Sequence, residues 1–157
     1  MNSRTPTSRH ERSGRSRSRV SPSREERKEA TRRALISAAL KLLDERSFSG
    51  LSLREVTREA GIVPAAFYRH FESMEALGLV LIDESFRSLR EMLRGARAGK
   101  LDTNRVIEST VEILVAGVTE QREHWRFIGR ERSSGVSVLR DAMRTEIRLI
   151  TSELATD

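Results

Sequence analysis

Three adjacent side chains, Tyr68, Arg69 and His70, carry hydrogen-bond donors of the kind that bind phosphate oxygens. They are enclosed by Phe67 and Phe71, which lie four positions apart and therefore on one face of a helix. We expect the two phenyl rings to be buried and the three polar side chains to point outward. The chemistry that this arrangement predicts is binding to a DNA duplex.

Two short helices with a tight turn between them must position these side chains. Ser52 and Glu55 have the spacing of a capping box, which predicts a helix that begins at Leu53. Gly61 stands where this helix needs a left-handed closing residue. A second helix is predicted over residues 64–71, since its first residue is a proline, which is tolerated in the first turn. A helix-turn-helix of this kind can insert its second helix into the major groove of DNA.

The turn alone is weak evidence, because any small helical protein contains helices joined by turns. Ala65 and Ala66 are small enough to let the backbone approach a groove wall, but they are also good helix formers. The polar residues of the second helix are what favour DNA binding over a purely structural role.

Residues 60–71 resemble the signature of TetR-type transcriptional repressors. Residues 51–56 and 130–135 resemble, more narrowly, the FabR and DesT group, which controls unsaturated fatty acid synthesis. The resemblance extends from about Arg24 to the C-terminus. At the start of the fourth helix, where many relatives carry a lysine that holds a phosphate, this chain has Met74.

This resemblance implies an all-α fold with a head and a body. The head, residues 24–72, would be a three-helix DNA-binding domain, and the body, residues 73–157, would bind a ligand and dimerise. The implied partner is a double-stranded DNA operator, on which a homodimer places one recognition helix per subunit in successive major grooves. The residues expected to contact DNA are Thr31, Arg32, Ser52, Arg54, Pro64, Ala65, Ala66, Tyr68, Arg69 and His70. For Arg32 the alternative is a solvated helix face without a role.

The positive charge of the chain is concentrated in residues 1–23. This segment holds six arginines and one glutamate, so it supplies five of the six net positive charges. It has too little apolar surface to offset the entropy of ordering, and we predict a disordered tail. Such a tail would either strengthen DNA binding by releasing counterions or be a dispensable solubilising extension.

Apolar periodicity and capping residues predict seven helices and no strand. Ser23 and Glu26 have the spacing of a second capping box, and the first helix spans about residues 24–46. The fourth helix spans about residues 73–97, and Phe48 and Leu51 fill the junction between the first two helices. The fifth begins at residue 106, the sixth spans about residues 123–132 and the seventh residues 136–153. In the last helices, the side chains expected to face inward are Ile107, Val111, Leu114, Val118, Leu139, Met143, Ile147, Ile150 and Leu154.

The apolar faces of the body either close on one another or leave a cavity, and periodicity does not distinguish these outcomes. The resemblance to the fatty acid regulators implies a pocket for a long acyl chain, presented as acyl-CoA or on acyl carrier protein. Its expected apolar lining is Phe86, Leu114, Trp125, Phe127 and Ile128, with Arg130 or Arg132 against the charged end of the ligand. Core packing of the apolar residues and surface ion pairs of the arginines are the alternatives.

Several kinds of chemistry are not supported by the sequence. The chain has no cysteine, and its three histidines lack a second ligand at metal-binding spacing. No phosphate-binding loop or nucleophile elbow occurs, so we predict a non-enzymatic protein without metal or cofactor. No apolar run approaches the roughly 20 residues of a membrane span, and no secretory signal is present, which predicts a cytoplasmic protein without a membrane partner.

The chain ends soon after the seventh predicted helix, whereas TetR-type proteins usually dimerise through two further helices. We therefore expect a fragment or a shortened gene product whose seventh helix is partly uncovered. Two other functions remain open. The first alternative to the repressor is a helical module that binds acyl carriers, with a degenerate head. The second is a nonspecific nucleic-acid-binding protein that depends on its basic tail.

Overall fold

The computed structural model describes residues 22–98, 106–133 and 135–156 of the chain. Within these ranges the fold is all-α, as predicted, and consists of seven α-helices and one 3-10 helix. The α-helices are α1 (Arg24–Leu43), α2 (Leu53–Glu59), α3 (Pro64–Phe67), α4 (Met74–Ala98), α5 (Val106–Glu120), α6 (Arg122–Glu131) and α7 (Ser137–Thr156), and the 3-10 helix is Phe48–Gly50. The predicted tail lies outside the described residues, apart from Pro22 and Ser23.

Both predicted capping boxes are confirmed. The Ser23 hydroxyl accepts a hydrogen bond from the Glu26 amide at 3.1 Å, and the Ser52 hydroxyl accepts one from the Glu55 amide at 3.3 Å. Gly61 adopts a left-handed conformation, with φ at +71°, as the turn after α2 requires. These local signals determine where the first two helices begin and how the chain turns toward α3.

The second helix of the helix-turn-helix is shorter than predicted. Only Pro64–Phe67 is α-helical, and the chain then continues as a turn. In this turn the His70 amide donates to the Phe67 carbonyl at 2.9 Å, three residues back, and the Phe71 amide donates to the same oxygen at 3.1 Å. A segment of two turns consists mainly of helix ends, where bonding over three residues commonly tightens the backbone. The first helix also ends earlier than predicted, at Leu43.

One cluster of buried side chains joins the head to the body. It runs from α1 through the 3-10 helix and α3 to α4, α6 and α7, and includes Leu35, Phe48, Phe67, Leu81, Phe86, Phe127, Leu139 and Ile150. Gly78 of α4 allows a close approach at its centre, since a Cβ atom there would lie 2.8 Å from both the Phe48 and Leu139 side chains. The absence of a side chain at this position therefore lets α4 pack against the junction between α1 and α2.

The predicted inward faces of α5 and α7 are wrong in part. Val111, Val118 and Ile147 are 53%, 43% and 43% exposed. Helix α5 instead turns Gly117 toward α4, where the Met92 side chain occupies the space that a Cβ atom would need. In α7 the buried residues are Leu139, Met143 and Ile150, as predicted. The side chains of Ile107, Leu114 and Leu154 lie outside the described part of the structure.

Candidate nucleic-acid interface

Residues 64–71, the recognition segment, are anchored by two aromatic rings. Phe67 and Phe71 are buried, and their ring centroids lie 5.6 Å apart. Tyr68 is 64% exposed and meets the Phe67 ring edge-on, and Arg69 is exposed beside it. Burial of the phenyl rings therefore holds the segment while its outer face stays accessible to a partner.

His70 is less accessible than its neighbours. Its side chain is half-buried, and its Nδ1 atom has no hydrogen-bond partner among the described residues. Burial lowers the pKa of His70 below its ordinary value, and the positive charges of Lys28, Arg32 and Arg69 lower this pKa further. The ring is therefore neutral at pH 7, and it sits where an incoming anion would favour its protonated form.

Arg32 is tied to the recognition segment from the side of α1. Its guanidinium carbon lies 4.6 Å from the centroid of the Phe71 ring, and its Nη1 donates a hydrogen bond to the His70 carbonyl at 3.3 Å. The sequence predicted that Arg32 contacts the DNA backbone. The observed contacts give Arg32 a positioning role between α1 and the turn that follows α3.

A cleft of about 550 Å³, the basic cleft, lies between the start of α1 and the end of the recognition segment. Its lining residues are Arg24, Glu25, Arg27, Lys28, Thr31, Arg69 and His70. Four permanent cations face a single carboxylate, so the cleft is positively charged and suited to phosphate oxygens. The cleft thus brings together Thr31 of α1, Arg69 and His70, and the sequence predicted that all three contact DNA.

Sequence reasoning missed the other cations of the basic cleft. Arg24, Arg27 and Lys28 stand seven, four and three positions before Thr31, and this spacing places all of them on one face of α1. That spacing was the available signal. It was obscured because the same helix carries charged residues on several faces.

The remaining predicted DNA contacts lie outside the basic cleft. The Ser52 hydroxyl donates to Glu55 Oε2 at 2.7 Å, so this side chain is engaged in capping α2. Arg54, Pro64 and Ala65 are exposed and Ala66 is half-buried. The starts of α2 and α3 are therefore accessible surfaces, with small residues at the first turn of α3.

The residues predicted to line an acyl pocket differ in their burial. Phe86 and Phe127 are buried in the core, Trp125 and Ile128 are half-buried, and the side chain of Leu114 is not described. Arg130 donates to the Leu43 carbonyl at 3.1 Å, and Arg132 is exposed. For Phe86 and Phe127 the structure has the core packing that was the alternative to a pocket.

A second cleft, the polar cleft, has a volume of about 790 Å³ and lies between α4, α5 and α6. None of the seven predicted ligand residues lines it. Its lining is Asp44, Glu84, Arg87, Ser88, Glu91, Glu120, Gln121, Arg122, Glu123, His124 and Arg126. A long acyl chain would find little apolar surface there.

Metal-binding clusters and membrane-spanning helices are both absent from the described ranges. These ranges hold no group of three or more histidines and carboxylates arranged to bind a metal ion. No helix within them is long and apolar enough to cross a membrane.

Comparison with known proteins identifies the type of DNA-binding fold. Residues 35–79 match the family model of bacterial regulatory proteins, tetR family. The structure is similar to a γ-butyrolactone receptor (ArpA-like protein), with a TM-score of 0.60 and 26% identity over 70% of this chain and 57% of that one. It is also similar to a TetR family transcription regulator from Marinobacter aquaeolei VT8, with a TM-score of 0.64 and 19% identity over 84% of this chain and 70% of that one. The chain thus has the helix-turn-helix fold of TetR-type regulators followed by a helical body, and it spans little more than half of the receptor's length.

Proposed function

We propose that this protein is a sequence-specific transcriptional repressor that binds a double-stranded DNA operator through the recognition segment and the basic cleft. The observation that carries the proposal is the exposed pair Tyr68 and Arg69, held on a buried aromatic anchor beside a cleft with four cations. The match of residues 35–79 to the TetR-type DNA-binding domain supports the same conclusion. The protein acts by binding, and no catalytic step is part of the proposal.

The two surfaces would have different tasks in the complex. The start of α3 has only small exposed side chains, Pro64 and Ala65, so it can approach the edges of the bases closely. Tyr68 and Arg69 follow on the same outward surface. Arg24, Arg27 and Lys28 would bind phosphate oxygens, which fix the position of the protein on the duplex without reading sequence.

The oligomeric form that fits this function is a homodimer. Two copies would place their recognition segments about 34 Å apart in successive major grooves, and the operator would be palindromic. Residues 1–23, as an arginine-rich tail, would add affinity that depends on salt.

The proposed effector is a long-chain acyl-CoA or acyl carrier protein, and the proposed target is control of unsaturated fatty acid synthesis. Support comes from the resemblance of residues 51–56 and 130–135 to the FabR and DesT regulators. Since Phe86 and Phe127 are packed in the core, the acyl chain would enter by displacing side chains. The similar receptor named for γ-butyrolactone supports a second candidate effector of that class.

The DNA-binding proposal is tested by selecting bound sequences from random duplexes and then measuring the affinity of variants. We expect a palindromic consensus. We also expect Tyr68→Ala to weaken binding to that consensus about 10- to 100-fold, since a base or phosphate contact contributes about 1–3 kcal/mol. The exposed side chain of Tyr68 implies that the melting temperature stays unchanged, and Leu79→Ala on the exposed side of α4 is the matched control.

Other outcomes would favour the alternatives. Binding that is lost on deletion of residues 1–23 but is indifferent to Tyr68→Ala would identify a nonspecific nucleic-acid-binding protein. Repeating the selection with oleoyl-CoA, palmitoyl-CoA and a γ-butyrolactone distinguishes the effector classes. If none of these changes the yield of bound DNA, the proposed effectors are rejected and the DNA-binding proposal stands on the consensus alone.

A further inference from the structure

The junction between α1 and α2 begins at a helix end where the Asp44 amide donates to the Lys41 carbonyl at 3.3 Å. Helix α1 ends at Leu43. Its C-cap residue Asp44 keeps the right-handed helical conformation, with φ at −61°, whereas many helices close with a glycine in the left-handed conformation. The 3-10 helix Phe48–Gly50 follows, and its N-cap residue Ser47 makes no side-chain capping bond. The free backbone groups at the two helix ends therefore need partners from elsewhere in the fold.

Helix α6 supplies these partners. Arg130 donates to the Leu43 carbonyl at 3.1 Å, and Arg126 forms an ion pair with Asp44, which lowers the pKa of that carboxyl group. Glu131 Oε1 accepts a hydrogen bond from the Phe48 amide at 2.7 Å. Cations thus meet the C-terminal end of α1, as the dipole of that helix favours, and a carboxylate accepts from the free amide at the start of the 3-10 helix.

Glu131 is the least expected of these partners. Its side chain is 0% exposed, and its Oε2 atom has no hydrogen-bond partner among the described residues. A buried carboxylate with one bond is costly, and an apolar residue of similar size would often be no less stable at such a position. The effect of Glu131 that the structure shows is to fix the position of the Phe48 amide.

Phe48 is consequently held from two sides. Its ring is packed against Gly78 of α4, in the core cluster that also includes Leu139 of α7, while its amide is held by α6. Helix α2 begins five residues later, at Leu53, and leads through the Gly61 turn to the recognition segment. The position of Phe48 therefore contributes, together with the packing of α2 on α1, to the direction in which α2 and the recognition segment leave the body.

We infer that α6 orients the recognition segment through this junction, with Glu131 as the positioning residue and Arg126 and Arg130 as its supports. The inference rests on the proposed DNA-binding function and adds a path from the body to the recognition segment that runs through α6 and the 3-10 helix. A displacement of α6 along this path would change the presentation of Tyr68 and Arg69 without any contact between α6 and DNA.

The test compares Glu131→Leu with Glu131→Gln in the full chain, because glutamine keeps a carbonyl acceptor for the Phe48 amide and leucine removes it. Amide NMR shifts are measured for Phe48 and for residues 64–71, and operator affinity is measured at a temperature where each variant is folded. We expect Glu131→Leu to move the Phe48 proton upfield, to shift residues 64–71 and to weaken operator binding about tenfold, as loss of a hydrogen bond to a charged group would. Glu131→Gln should stay within about twofold of wild type in affinity.

Two further variants keep the test decisive. Ile150→Ala truncates a buried side chain of α7 and should lower the melting temperature while leaving the shifts of residues 64–71 and the affinity unchanged. Arg126→Ala changes an exposed side chain, so it folds even if Glu131→Leu does not, and it should shift residues 64–71 in the same direction.

The outcomes separate the inference from the proposed function. Unchanged shifts at residues 64–71 in both Glu131→Leu and Arg126→Ala would overturn the inference; if Glu131→Leu does not fold, Arg126→Ala alone decides. If wild type binds no duplex, the proposed function fails, and the shifts of residues 64–71 still decide whether α6 positions this segment.

Discussion

The recognition segment and α5 both carry apolar side chains at helical spacing, but they use them differently. In the segment, Phe67 and Phe71 are buried and the polar residues between them face outward or lie at the surface. In α5, Val111, Val115 and Val118 form an exposed row, and Gly117 lies against the Met92 side chain of α4. Apolar spacing therefore identified the buried face of the shorter element and failed for the longer one.

The difference arises from how many apolar faces each element has. The recognition segment has two large rings on one side and small or polar residues elsewhere, so only one orientation buries the large apolar side chains. Helix α5 is apolar on several sides, and the side that carries Gly117 lies against the Met92 side chain of α4. A pattern with one apolar face predicts burial, and a pattern with several leaves the choice to the neighbouring helix.

Truncating one apolar residue in each region tests this contrast most directly. Phe67→Ala removes a fully buried ring and should lower the free energy of unfolding by about 3–5 kcal/mol. Val115→Ala changes a side chain that is 59% exposed and should alter the free energy of unfolding by no more than about 0.5 kcal/mol. Urea denaturation of both variants checks this, and equal losses would show that α5 buries its valines in solution.

A second prediction uses charge, because four cations line the basic cleft at the end of the recognition segment. Lys28→Ala removes one cation of the basic cleft and should reduce the slope of log affinity against log salt concentration by about 1. Lys41→Ala is the control, since Lys41 is paired with Glu59 at 2.5 Å on the last turn of α1. An unchanged slope for Lys28→Ala would remove the cleft from the interface.

The smallest effect is expected from pH. Burial, and to a smaller extent nearby cations, lower the pKa of His70 below its ordinary 6.5. The His70 ring of the free protein is therefore mainly neutral at pH 7. A phosphate group nearby would raise this pKa, and the complex would then bind a proton that the free protein does not. Operator affinity should therefore rise, by less than about tenfold, as the pH falls from about 7.5 toward the lowered pKa of the free protein.

His70→Gln should remove this dependence while preserving a polar side chain. Affinity titrations of both proteins at a series of pH values measure the difference. A wild-type affinity that falls as the pH is lowered would contradict the sign, and a variant with the same profile would assign the proton to another group.

Much of the candidate site was accessible from the sequence because its signals are local. The two capping boxes, the left-handed Gly61 and the phenyl pair each depend on residues within four positions of one another. The basic cleft was found only in part, since its cations on α1 lie about 40 residues from Arg69. The acyl pocket could not be predicted at all from periodicity, because a closed core and a cavity have the same apolar spacing.

The sequence by itself determined the all-α fold, the starts of α1 and α2, the turn at Gly61 and the aromatic anchor of the recognition segment. Each of these follows from backbone groups and side chains that meet within one or two turns of the chain. Only the tertiary structure decided which sides of α5 and α7 are covered, which cations join the recognition segment, and that Glu131 of α6 binds the Phe48 amide 83 positions away. Such contacts depend on how helices pack, and packing is settled by the shapes of partners that are distant in sequence.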